Sequence, residues 1–230
     1  MYYDKNRRYF ENKKFVMYTG FVLIIAAFVL FYIWPVDEDN ISYIPIVFLV
    51  VLGTGCFMFF RERMRRSSER DIDEDIEREL AGFDEKAYFD LDLYGRELPY
   101  INPLLMQFYV YYDTPYIRRD KEGVYRTDRY ERCRVYFTED SVFTASRTVR
   151  LVEEGVDDEY KEIKYKDIVR ASIDRAQRIY TIGKRKVTVN YYDLNIYGEN
   201  GVLFSSQCRN DYTVECAVED INKSAEKHRK

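Results

Sequence analysis

Lys184, Arg185 and Lys186 follow one another in a strand-rich stretch, with Arg175 and Arg178 a strand earlier, and they form the one basic cluster of the chain's second half. Side chains of this type at this spacing bind ligand charge: Arg forks onto carboxylate or phosphate, and Lys supplies a mobile point charge. The cluster therefore has three readings. It holds a phosphorylated or acidic partner, it keeps a hairpin turn soluble at a sheet edge, or it docks the chain's own acidic segment from Asp71 to Glu79.

Covalent and metal chemistry find little support. The single histidine, His228, stands third from the end, so no Ser-His-Asp or Cys-His arrangement and no histidine-rich metal site is expected. Glu153, Glu154, Asp157, Asp158 and Glu159 crowd together without the ligand spacing of a calcium loop and read as a solvated turn. No phosphate-binding glycine loop is present, and the one G-x-G, Gly53 to Gly55, lies in an apolar run. Cys56, Cys133, Cys208 and Cys216 lack paired spacing and read as reduced, structural thiols. The expectation is a protein that is not an enzyme, with no catalytic residues, no metal and no cofactor. Residues 71 to 230 carry 26 Lys and Arg against 33 Asp and Glu, a net of −7, which opposes nucleic-acid binding.

The elements that must position these groups divide sharply. Phe15 to Trp34 and Ile41 to Phe60 are twenty residues each without Asp, Glu, Lys, Arg or His. Twenty helical residues span about 30 Å, the thickness of a bilayer's hydrocarbon core. Residues 1–14 read as a basic tail containing Lys13 and Lys14, 15–34 and 41–60 as transmembrane helices, 35–40 as a short external acidic loop, and 61–82 as a basic juxtamembrane segment followed by an acidic helix. Arg61, Arg63, Arg65 and Arg66 close the second span, whereas the loop has Asp37, Glu38 and Asp39 and no base. By the positive-inside rule both ends face the cytoplasm of a multi-pass cell (inner) membrane protein. The bilayer is then one partner, a protein of unknown identity another, and a homo-oligomer is open, since Gly53 and Gly55 allow close helix contact.

After the arginines, Ser68 and Asp71 form a capping-box pattern, Ile72, Ile76 and Leu80 make a narrow apolar stripe, and Gly82 stops the helix, which is expected from Glu69 to Ala81. From Phe83 onward short aromatic and β-branched runs alternate with turns: 104–112, 116–119, 124–126, 132–137, 142–146, 160–165, 168–174, 179–182, 187–192, 194–197 and 202–206. Asn200-Gly201 marks a last hairpin turn in which both residues tolerate positive φ. A final helix over about 211–227 puts Val214, Ala217, Val218, Ile221 and Ala225 on one face, for covering the sheet.

The phrases VYFTEDSVFTAS, YKEIKYKDIVRASID and DLNIYGENGVLFSSQ, followed by ECAVEDINKSAEK, resemble GRAM and bacterial PH-like domains. The resemblance covers about Tyr116 to Lys227 and implies, for 83–230, an antiparallel β-barrel or sandwich closed by the C-terminal amphipathic helix, beside a membrane α-helical hairpin. Residues 83–115 are left as an added strand pair or a cap. In phosphoinositide-binding members, bases of the first hairpin hold phosphates. Here the hairpin 132–146 turns through the acidic Thr138-Glu139-Asp140-Ser141, whereas a hairpin beginning at Tyr116 would bring Arg118, Arg119 and Lys121 near its turn. The function expected is a membrane-tethered scaffold binding a protein, or less favourably a lipid headgroup. The alternative is an accessory subunit that joins a larger membrane complex through its two helices.

If the charge asymmetry sets the topology, protease added to sealed right-side-out vesicles leaves the C-terminal domain intact. Its digestion there would invert the assignment.

Overall fold

In the computed structural model the described residues are 2–11, 15–33, 43–65, 67–98, 101–112, 114–182 and 185–229. The chain forms two compact units, Met1–Asp71 and Ile72–Lys230. The expected loop 35–40 and the residues Lys13, Lys14, Arg66 and Lys184 lie outside the described residues.

The first unit is helical. Most of the basic tail is a helix, α1 (Tyr2–Glu11), and two apolar helices follow, α2 (Phe15–Ile33) and α3 (Ile44–Met64), both long and apolar enough to cross a membrane. Pro45 sits in the first turn of α3, where its missing N–H breaks no helical bond. The helix runs past Phe60 to include Arg61 and Arg63, and Arg65 follows at its C-cap. Ser67 Oγ meets Asn6 Oδ1 at 2.5 Å, and Arg8 pairs with Glu62 at 3.6 Å, so α1 is tied to the end of α3.

The helices α2 and α3 run antiparallel, with Phe28 and Phe31 against Phe48 towards one end and Gly20 against Gly55 at the other. A Cβ on Gly20 would stand 2.8 Å from Phe59 N and 2.9 Å from Gly55 O, and one on Gly55 would stand 2.9 Å from Gly20 O. Backbone cannot swing aside as a side chain can, so both positions require glycine. Gly53, paired with Gly55 in the sequence reading, has nothing within 4 Å and takes no part in this crossing.

The helix α4 (Glu69–Leu80) opens with the expected reciprocal cap, Ser68 N to Asp71 Oδ2 at 2.7 Å and Asp71 N to Ser68 Oγ at 3.1 Å. In the second unit its stripe of Ile72, Ile76 and Leu80 is buried. Gly82, at φ +72°, then turns the chain into α5 (Phe83–Asp90). This helix departs from the strand texture expected from Phe83 onward, and of the two alternatives left for residues 83–115 it packs on the sheet as a cap would. The pattern there is short, and its apolar residues are held by tertiary packing.

Among the described residues nine strands follow: β1 (Leu104–Tyr109), β2 (Ile117–Arg119), β3 (Tyr125–Thr127), β4 (Arg129–Phe137), β5 (Ser141–Arg150), β6 (Val156–Lys164), β7 (Arg170–Ile182), β8 (Arg185–Gly198) and β9 (Gly201–Cys208). They make an antiparallel sheet in the order β1-β4-β5-β6, a second in the order β7-β8-β9, and the small hairpin β2-β3. Among the described residues neither larger sheet closes on itself, so of the expected barrel or sandwich the barrel is not formed, and helices beside antiparallel sheets make the α+β class that was expected. The final helix, α6 (Tyr212–Arg229), is capped by Asp211 Oδ1, which accepts from Val214 N at 3.1 Å.

The period of two dictates the layers. On β4 and β5 one parity sends Cys133, Val135, Phe137 and Val142 into a core with Leu194 and Ile196 of the second sheet and Val214, Ala217, Ile221 and Ala225 of α6. The opposite parity sends Tyr136, Phe143 and Ala145 outward, where Phe83, Ala87 and Leu93 cover them. Polar clamps fix that outer layer. Asp84 takes two bonds from Arg134 at 2.8 and 3.2 Å, and Asp158 receives Arg147 at 2.6 and 2.7 Å and Lys86 at 3.0 Å.

Two pairs of expected strands prove continuous. The gaps hold Arg175, Gln177, Arg178 and Asp193, yet β7 and β8 pair without interruption from Arg170↔Tyr197 to Ile182↔Arg185, because main-chain pairing does not need apolar side chains. The last turn consists of Glu199 and Asn200 between paired Gly198 and Gly201, and positive φ falls on Gly201 alone, at +125°.

Two outcomes follow from these contacts. Gly20→Leu or Gly55→Leu should weaken the α2–α3 pairing by about 1–3 kcal/mol, read by cysteine crosslinking between the helices in membranes, whereas Gly53→Leu leaves it intact. Arg147 and Lys86 hold the Asp158 carboxyl down to about 2. A depressed carboxylate stabilises the fold above its unfolded value of about 3.9, and that stability is lost as pH falls towards 2. Asp158→Asn should therefore melt earlier than the native chain at pH 7, with the difference closing between about pH 4 and pH 2.

Candidate functional site

The expected basic cluster does not converge. Residues paired across β7 and β8 share a face, and pairing sets Thr181 opposite Lys186, Ile182 opposite Arg185, Arg178 opposite Val189 and Arg175 opposite Tyr192. Arg178 and Arg185 therefore share the parity of Tyr180 and Val189, which are buried with Ile117 of the β2-β3 hairpin. Arg175 and Lys186 share the other parity with Gln177, Thr188 and Ile179, the last 61% exposed. Along the ribbon Arg175 and Lys186 stand six registers apart, about 20 Å. The bases that reach the acidic helix α4 are different ones. Arg126 meets Asp73 at 2.5 Å, and Arg147 Nη1 donates to the Glu79 carbonyl at 3.0 Å.

Among the described residues three concave features lie elsewhere, along a seam where the outer edge of β6 faces β9. Three cavities follow one another there and share lining residues. The largest, about 870 Å³, is walled by residues 95–98, the turn Thr138–Ser141, Glu162, Lys164, Lys166 and His228. The next, about 330 Å³, runs along residues 161–164, Lys166 and Asp167 to Leu203. The last, about 200 Å³, reaches between the sheets to Tyr112, Glu131, Ser146, Thr148, Glu159 and residues 202–205. Lys161 bridges the seam by donating its Nζ to the Leu203 carbonyl.

Each part is positioned by a simple local rule. The turn at 138–141 is held by Thr138, whose Oγ1 donates to Ser141 O at 2.9 Å and accepts from Ser141 N at 3.2 Å, and Ser141 Oγ donates to Glu162. This is the acidic hairpin turn expected from the sequence. His228, in the last turn of α6, stacks on Tyr165 with ring centroids 5.4 Å apart, holds Ser224 O at 2.8 Å through Nδ1, and sets Nε2 3.5 Å from Asp140. In the wall of the same cavity Glu97 Oε1 is shut from solvent and has no hydrogen-bond partner among the described residues.

At the inner end, Glu131 is 5% exposed. Its carboxylate accepts from Tyr112 Oη and Ser206 Oγ, each at 3.2 Å, and among the described residues no salt bridge reaches it. Burial raises its pKa, and the charge of Glu159 adds to the effect. A buried carboxylate balanced only by hydroxyls strongly favours an incoming cation.

The sequence reading missed this seam because its walls come from β4, β5, β6 and β9. A signal was present: the inward parity that carries Phe137, Val135 and Val142 continues as Glu131, Ser146 and Thr148, so polar residues occupy core positions at one end. Glu131→Gln keeps the shape and removes the buried charge. Because burial raises the folded pKa, native stability declines as pH rises above the unfolded value of about 4.3. The variant should lose that decline and be about 1 kcal/mol more stable at pH 7, read by thermal melting across pH 4 to 8.

Comparison of the chain with families of known proteins, with characterised proteins and with solved structures gives no match.

Proposed function

We propose that this chain is a membrane-anchored binding module that presents a PH-like domain at the cytoplasmic face and takes a protein partner in the seam between its two sheets. The observation that carries the reading is the seam itself: a continuous polar cleft with a buried, uncompensated carboxylate at one end and lysines along its middle. Four strands facing three across one core, with a C-terminal helix packed into that core, support the PH-like arrangement. Two apolar antiparallel helices support the anchor, and the bases flanking them support the cytoplasmic orientation. The acidic turn Thr138–Ser141 at the mouth of the largest cavity favours a protein ligand over an anionic lipid headgroup.

The module works by recognition rather than turnover. Charged side chains around the cleft set the orientation of the ligand, and the two-sided packing of β4 and β5 keeps them in place. A second reading, an accessory subunit that assembles through its helices, draws on Gly53, whose bare face on α3 would admit another helix.

Photo-crosslinking in native membranes separates the two. A photoreactive residue at Glu162 is expected to trap a specific protein, and one at Gly53 to trap none. Capture at Gly53 alone would transfer the function to the helices, and a robust turnover abolished by one substitution in the domain would replace binding with catalysis.

A further inference from the structure

Resting on that reading, we infer that the partner enters the seam as an extended strand, paired main chain to main chain with the outer edge of β6, its basic side chain at Glu131 and Glu159 and its acidic one at Lys164 and Lys166.

An edge strand turns every second N–H and C=O away from its neighbour, and these groups attract another strand. The edge of β7 is dealt with internally: Asn222 of α6 accepts from Ala171 N at 2.7 Å and donates to Ala171 O at 3.0 Å, as a neighbouring strand would, and Arg229 donates to Val169 O. The edge of β6 has no such cover from the C-terminal helix. It pairs with β5 on one side, and on the other it meets the cavities, which Lys161 crosses to reach Leu203.

Charge then selects the occupant. The inner end holds Glu131 and Glu159, the middle Lys164 and Lys166. Glu159 and Lys164 are five residues apart on β6, about 16 Å, and an odd separation places them on opposite faces. A strand laid alongside meets both demands with a Lys or Arg pointing inward and a Glu or Asp pointing outward five residues away. Strand addition supplies affinity through the main chain and specificity through those alternating side chains.

The test uses the whole chain in lipid nanodiscs and a pool of capped nine-residue peptides of Thr and Val. Each peptide carries one Lys and one Glu separated by two to seven positions, in both orders. The tightest binder is expected at a separation of five in one order, with slowed amide exchange at every second residue of Val156–Lys164. Lys164→Glu with Lys166→Glu, both exposed, should weaken that peptide about tenfold, and replacing the peptide's Glu by Lys should restore it. Failure of every peptide to exceed an all-Thr/Val control overturns the inference. So does affinity independent of spacing, protection without alternation, or protection that appears only as the chain pairs with a second copy. Capture of a protein at Glu162 together with failure of the peptides removes the strand and keeps the binding module; failure of both removes both.

Discussion

The pairing of β4 with β5 is the constraint on which the second unit rests. In register from Arg129↔Arg150 to Phe137↔Val142, these two central strands bury both of their faces. One face meets the second sheet and α6, the other meets α5. A slip of one residue would exchange Val135 and Phe137 with Arg134 and Tyr136 and send guanidinium groups into the core. The register therefore fixes at once where the helix layer sits, where the second sheet sits and which polar residues line the seam.

Ion pairs in this molecule act mostly as clamps on that arrangement. Asp158 gathers Arg147 and Lys86, Asp84 gathers Arg134, and Arg126 bridges Asp120 and Asp73. Each joins an element of the outer layer to a strand or hairpin of the sheets, or one strand to its neighbour. Arg147 also lies over the Phe83 ring at 4.8 Å, so its guanidinium packs as well as pairs. Glu131 is held differently, its charge left to the hydroxyls of Tyr112 and Ser206. A site that accepts desolvation without a counter-charge gives up stability, and in the binding module we propose the ligand would supply the missing partner.

The helical unit obeys a different rule. Between two helices that are apolar all round, burial gives little direction, and close approach decides the pairing. Gly20 and Gly55 allow backbone to meet backbone, and at the far end Phe28 and Phe31 pack against Phe48.

Local patterns in the sequence determined a good deal. Uncharged twenty-residue runs specify two long apolar helices, the Ser68 and Asp71 pair specifies the start of α4, and alternating apolar residues specify most strands and the C-terminal helix. These features depend on neighbours within a turn or a few residues, so they are legible in one dimension. Tertiary structure alone decided the rest. Phe83–Asp90 is helical because the outer face of the sheet receives it. Gly55 rather than Gly53 meets its partner because helix rotation is set by the crossing. The four described bases of the expected cluster, Arg175, Arg178, Arg185 and Lys186, fall on two faces because strand register, a property of the pair, assigns each side chain its side. The seam exists only where two sheets stop short of closing, and no stretch of chain contains that gap.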